Sequence, residues 1–192
     1  SFIGLDTIAS FQVQDGRLRT QLPGQEPTER PLDHSLEVAG AFRSFLRQFE
    51  PLGDTPFRGF NGLFGHTAFD GVQYFDTLEF ASEKRKTGLP DLRYHLYRFI
   101  IAINHYKDEL YLLENCPSGE ESQLDELQIR VNNQRFNVHP FELKGAETSN
   151  LTDEEFKELV RVGKHHCQRG DVFQIVFSRQ FQQQFSGDEF QV

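Results

Sequence analysis

Several groups of residues in this sequence have the side-chain types that reactions use. His165, His166 and Cys167 are consecutive, and all three are metal-ligand types. A helix turns consecutive side chains about 100° apart, so here they cannot converge on one ion. They are expected instead as helix-end residues, with Cys167 on an apolar stripe and the imidazoles near the negative end of the dipole. Gly59, Gly62 and Gly65 spell G-x-x-G-x-x-G. That is not the dinucleotide fingerprint, and no Lys-Ser/Thr follows to make a phosphate loop. Glycines so placed let a strand bend or approach another backbone closely. Asp6, Asp70 and Asp76 are scattered, whereas acid/base work needs carboxylates at a defined position on the substrate. Arg98 and Arg179 fall on predicted strands, where an arginine meets an anionic ligand or, more often, a carboxylate across the sheet. There is no G-x-S-x-G nucleophile elbow. The run Glu83-Lys84-Arg85-Lys86 is expected as solvated surface.

The elements that would position these residues follow from the apolar periodicity. Phe2, Ile3, Leu5, Ile8, Phe11 and Val13 predict a strand. Asp15-Gly16 then predicts a tight hairpin turn, with Leu18 opening the return strand. The Pro-rich residues 21–32 predict a loop. Asp33 is placed to cap a helix running to Phe49, with Val38, Phe42, Phe45, Leu46 and Phe49 on one face. Residues 93–115 predict a second hairpin, turning at Tyr106-Lys107-Asp108-Glu109. Ser118 and Glu121 form a capping-box pattern ahead of Leu124, Leu127 and Val131, predicting a helix over 120–131.

Near residue 150 the character changes. Thr152 and Glu155 make another capping box, with Leu151 and Phe156 at staple positions. Phe156, Leu159, Val160, Gly163 and Cys167 predict a buried stripe, and Gly170 a helix stop. Phe173, Ile175, Phe177 and Phe181 predict one long strand over 171–185. Ser186 with Glu189, flanked by Phe185 and Phe190, predicts a further helix start, and Val192 falls about one turn into it. A helix that short is unstable alone, so the chain is expected to be a piece of a longer protein. The absence of Met agrees with that expectation.

Composition sets the class. The chain has 192 residues with 20 Lys+Arg against 29 Asp+Glu, a net charge of −9. That argues against a general phosphate-backbone binder. Twenty Phe in a chain that is 37% apolar suffice for a packed core. The longest apolar run, Phe99 to Ile103, is strand-sized and far short of a membrane helix. Two cysteines and no secretory signal predict a reduced, cytoplasmic protein. The expected fold class is α+β, a mostly antiparallel sheet with surface helices.

The residues after Ala146 resemble the opening of the chorismate-binding domain of the anthranilate synthase component I family. Glu154-Glu155-Phe156, Val160, Gly163-Lys164 and above all Gly170-Asp171-Val172-Phe173-Gln174-Ile175-Val176-Phe177-Ser178-Arg179 carry the resemblance. Upstream, Ser1-Phe2-Ile3-Gly4 with Ile8-Ala9-Ser10-Phe11 is similar to the family's early strand pair. Phe99-Ile100-Ile101-Ala102 leading into Leu110-Tyr111-Leu112-Leu113 is similar to its central hairpin. Gly62-Leu63-Phe64-Gly65-His66 resembles its Gly-rich strand, but with Asn61 and His66 where Gly and Tyr are usual.

The resemblance implies two domains, residues 1–145 of the N-terminal type and 146–192 opening the chorismate-binding domain. It implies an enzyme of tryptophan biosynthesis that converts chorismate and ammonia to anthranilate and pyruvate with Mg²⁺. Ammonia would come from a glutamine amidotransferase partner, and tryptophan would act as feedback inhibitor. By the resemblance, the family's metal ligands, catalytic base and chorismate-gripping arginine are expected well beyond residue 192, and its effector segments upstream of residue 1 and downstream of residue 192. No catalytic, cofactor-binding or metal residue is therefore carried onto this sequence. Gln174 and Ser178 match the motif and are expected in a strand interior. Aminodeoxychorismate synthase component I, with the same fold and substrate, is the nearest alternative; a non-catalytic partner-docking module is the other.

Overall fold

The computed structural model describes residues 1–52, 56–78, 88–133 and 139–191. The chain divides into two units, Ser1–Asn133 and Gln134–Val192. The charged run at 83–86 lies outside the described residues.

The first unit is built on an antiparallel sheet of six strands. They are β1 (Phe2–Gln14), β2 (Arg17–Gln21), β3 (Thr28–Pro31), β4 (Phe64–Thr67), β5 (Leu92–Asn104) and β6 (Glu109–Glu114). The order is β3-β2-β1-β5-β4, with β6 also pairing β5. Asp15 and Gly16 both take positive φ (50° and 69°), the geometry of a two-residue turn that matches strand twist. Asp108 does the same (φ 55°) in the β5–β6 turn. Midway along β1 the register with β5 shifts between Thr7 and Ala9, and Asp6 beside that bulge sits at φ 55°. An extra residue there re-aims the strand.

The core explains why β1 and β5 are long. Ala9, Phe11 and Val13 of β1, Leu18 of β2 and Leu92 of β5 share one sheet face and are buried. Helix α1 (Glu37–Leu46) covers that face through Val38 and Phe45, with the Phe11 ring 4.9 Å from Phe42 and 5.5 Å from Phe45. At the other end of β5, Phe99, Ile100, Ile101 and Ala102 are all buried, so both sheet faces are covered there. Helix α2 (Leu124–Asn132) buries Leu127.

Three expectations change in this unit. The stretch 21–32 contains β3, whose four residues are all exposed and pair with β2. An edge strand with both faces in water shows no apolar alternation, and it tolerates Pro31. Helix α1 starts at Glu37, not after Asp33; no side chain caps it, and Leu46 is exposed. Helix α2 starts at Leu124, with no side-chain cap; the Glu120 carboxylate and the Glu121 carbonyl ahead of it bond Arg98. Val131 is exposed.

The second unit pairs β7 (Glu142–Ser149) antiparallel with β8 (Phe181–Ser186), separated in sequence by α3 (Asp153–Arg169). Strand β7 runs through Ala146, where the resemblance places the domain change, and pairs within this unit. The predicted capping box forms: the Thr152 hydroxyl accepts the Glu155 N–H, and the Glu155 carboxylate accepts the Thr152 N–H at 2.8 Å. Gly170 ends the helix at φ 79°. Gly163 is buried under Phe177 and Ile175; a Cβ on it would lie 2.2 Å from the Phe177 ring.

The remaining expectations here are corrected. Cys167 and Leu159 are exposed, so the stripe on α3 is narrower than the sequence suggests. The predicted strand over 171–185 is regular only from Phe181, because β7 ends at Ser149 opposite Phe181 and, among the described residues, no strand flanks the residues before it. Ser186 lies in β8, and Asp188 instead takes the Phe190 N–H (3.0 Å) at the short 3-10 turn Glu189–Gln191. Phe190 is exposed and makes no staple.

Candidate functional site

Arg98 of β5 makes three side-chain hydrogen bonds. Its Nε donates to Glu114 at 3.0 Å, one Nη to Glu120 at 2.5 Å, and the other Nη to the Glu121 carbonyl at 3.1 Å. The Arg98 side chain is 13% exposed and that of Glu114 only 4%. The Glu114 carboxylate also accepts the Ser122 hydroxyl (2.6 Å) and the Gln123 N–H (3.0 Å). Burial alone would raise the Glu114 pKa. The Ser122, Gln123 and Arg98 hydrogen bonds outweigh it and hold the carboxyl below the ordinary glutamate value. The hydrogen bond to Glu120 leads in holding the Arg98 charge, against desolvation and with help from Glu114. Three of its five N–H donors are held by Glu114, Glu120 and the Glu121 carbonyl, so Arg98 serves as a structural cation.

A cavity of about 340 Å³ opens beside this node. Its apolar wall is Leu5, Phe99, Leu127 and Val131; Asp6, Glu126 and Arg130 supply charge of both signs. A second cavity of about 720 Å³ lies over the first hairpin turn, with His34, His66, Asp70 and Tyr74 among its walls. There Tyr74 donates to Asp91 at 2.6 Å, and a His66 ring nitrogen lies 3.2 Å from the Pro90 carbonyl.

The sequence-flagged residues do not gather into one site. Asp6 and Asp70 line different cavities, and Asp76 accepts the N–H of its neighbour Thr77. Of the glycine triplet, only Gly65 meets another backbone: a Cβ there would lie 1.8 Å from the Arg93 carbonyl oxygen, whereas Gly59 has nothing within 4 Å. His166 bonds Asp171 at 2.8 Å on an exposed helix end. Arg179 lies before β8, not on a strand. It is paired with Asp153 at 2.6 Å and stacked 4.6 Å over Phe181. Gln174 and Ser178 are exposed, not in a strand interior. The sequence reading did not single out Glu114 and Gln123. Their partner Arg98 is remote along the chain, and no local spacing announces such a pair.

Among the described residues no three His, Cys, Asp or Glu side chains are grouped to hold a metal ion.

Residues 6–192 match the family model of chorismate binding enzymes. The chain belongs to that family. As a chorismate-binding family member it is 30% identical to anthranilate synthase component 1 of Acinetobacter calcoaceticus, covering 100% of this chain and 40% of that protein. It is 27% identical to a chloroplastic anthranilate synthase alpha subunit of Arabidopsis thaliana (86% and 30%). It is 29% identical to aminodeoxychorismate synthase component 1 of Salmonella typhimurium (74% and 30%). The chain thus spans 30–40% of the length of these relatives. A solved anthranilate synthase component I from Streptococcus pneumoniae superposes with TM-score 0.68 at 17% identity, over 100% of this chain and 43% of that one. That likeness establishes the shared α+β fold. Among the described residues no helix is long and apolar enough to cross a membrane.

Proposed function

We propose that this chain is part of an anthranilate synthase component I, which forms anthranilate and pyruvate from chorismate and ammonia in the tryptophan pathway. The observation that carries this reading is the family match over residues 6–192, together with 30% identity across the whole chain to an anthranilate synthase component 1. Ammonia reaches the parent protein from a glutamine amidotransferase subunit in the cytoplasm, tryptophan is its feedback inhibitor, and Mg²⁺ is its cofactor.

In this reading residues 1–192 are scaffold. Chorismate is a dianion, and its ring must be held while a hydroxyl departs and nitrogen enters. That task requires preorganised cations and donors around the developing charge. Arg98 and Arg179, the two strand-region arginines flagged in the sequence, are bound to Glu114, Glu120 and Asp153. In this reading the groups that grip the substrate belong to the parent protein outside this stretch, and the 192-residue chain alone is inactive.

The likeness to an aminodeoxychorismate synthase component supports a second reading, with the same substrate and a different product. The test is product analysis of the parent protein with chorismate, ammonium and Mg²⁺. Anthranilate and pyruvate support the first reading, and an amino-deoxy product that retains the enolpyruvyl group supports the second.

A further inference from the structure

One face of the first unit's sheet carries α1; the opposite face, over the first hairpin, carries an unbalanced row of cations. Directly paired residues in antiparallel strands share a face. The pairings Glu29–Arg19, Arg19–Gln12, Gln12–Arg93 and Arg93–His66 therefore draw one continuous row across β3, β2, β1, β5 and β4. Neighbouring strands lie about 4.8 Å apart, so Arg19 and Arg93 flank Gln12 at a backbone separation of about 10 Å. Arg19, Arg93 and His66 are exposed.

The row's one carboxylate is already used. Glu29 stands opposite Arg19 in the ladder but bonds Arg17. The Gln12 carboxamide accepts from Arg93 at 3.3 Å and donates to Gln14 at 3.0 Å. Among the described residues neither Arg19 nor Arg93 has a carboxylate partner. Over the first hairpin, among the described strand residues, Arg17, Arg19 and Arg93 stand beside one glutamate, Glu29, in a chain of net charge −9.

We propose that this sheet face docks an acidic surface patch of a partner protein, a carboxylate of which enters between Arg19 and Arg93. Charge complementarity selects the partner's chemistry. The face is an open sheet surface, and neither cavity described above includes Arg19 or Arg93, so it suits a protein surface better than a small ligand. The strongly acidic chain argues against nucleic acid. Identifying the partner as the glutamine amidotransferase subunit rests on the function proposed above.

The test titrates the parent protein with that amidotransferase subunit at low and high salt, for wild type, R19E/R93E and R47E. Arg47 ends α1, which covers the opposite face. The double variant is expected to weaken binding by at least about tenfold, mainly through slower association, and to flatten its salt dependence. R47E should bind as wild type, and all three should keep their ammonia-dependent rate. Unchanged affinity in R19E/R93E overturns the docking face and leaves the proposed activity standing. Loss of the ammonia-dependent rate in both R19E/R93E and R19Q/R93Q also overturns it, since the charges would then serve the chemistry. A wild type that makes anthranilate from ammonia but binds no amidotransferase overturns the docking face. So does retention of an oligonucleotide that depends on Arg19 and Arg93. A wild type that makes no anthranilate refutes the underlying function instead.

Discussion

Arg98 on β5 and Glu114 at the end of β6 meet at 3.0 Å, and the same carboxylate receives the Gln123 N–H that precedes α2. One largely buried carboxylate thus ties a strand, a hairpin end and a helix start together. Removing its charge leaves Arg98 with Glu120 as its carboxylate partner and weakens the hold on Gln123. Glu114→Gln is expected to lower the melting temperature by several degrees. The pH dependence follows from the depressed Glu114 pKa. The unfolded carboxyl takes up its proton first as pH falls, so this stability is present above the ordinary glutamate range and is lost as pH drops through the folded pKa. His95 acts in the same direction at higher pH, because burial and then Arg93 lower its pKa. Urea midpoints should therefore fall on acidification, first below the ordinary histidine range and again below the glutamate range. In Glu114→Gln the second drop should shrink, and an equal drop in both proteins would contradict the role of Glu114.

Gly65 and Gly59 differ although the sequence presents them as one motif. Gly65→Ala drives a methyl into the Arg93 carbonyl and should cost about 2–3 kcal/mol. Gly59→Ala meets nothing within 4 Å and should change stability by less than about 0.5 kcal/mol. Chemical denaturation of the two variants measures the difference, and equal effects would refute the close-approach account.

Thr152→Ala removes a complete capping box from α3 and should cost about 1 kcal/mol. Amide exchange in the first turn of α3 is the local readout. Protection there should fall while β1 and β5 amides stay unchanged.

Residues 172–179 make no backbone hydrogen bond among the described residues, although Val172, Phe173, Ile175 and Val176 are apolar and exposed. Unpaired backbone beside exposed apolar side chains invites association. The 192-residue chain is expected to self-associate as concentration rises, and Phe173→Ser to reduce this. A clean monomer by light scattering at high concentration, with protected amides over 172–179, would contradict the expectation.

What the sequence revealed was local. The Asp15-Gly16 turn, the Thr152–Glu155 box and the Gly170 stop each depend on residues a few positions apart, and each formed as read. Strand β3 was hidden because both of its faces meet water. Asp33 and Ser118 looked like caps, but α1 starts without a side-chain cap and Arg98 claims Glu120 and the Glu121 carbonyl ahead of α2. The strand predicted over 171–185 had the right alternation, yet a strand also needs a neighbour, and β7 reaches only Phe181. The Arg98–Glu114 node and the cationic row across five strands arise from sheet register, which no short window of sequence displays.

The most direct test of the account is anthranilate fluorescence from chorismate, ammonium and Mg²⁺, with the parent protein and the 192-residue chain assayed side by side. The account predicts steady anthranilate formation by the parent and none above background by the chain. Turnover by the chain would place the reacting groups within residues 1–192, and a parent that forms no anthranilate would remove the proposed function.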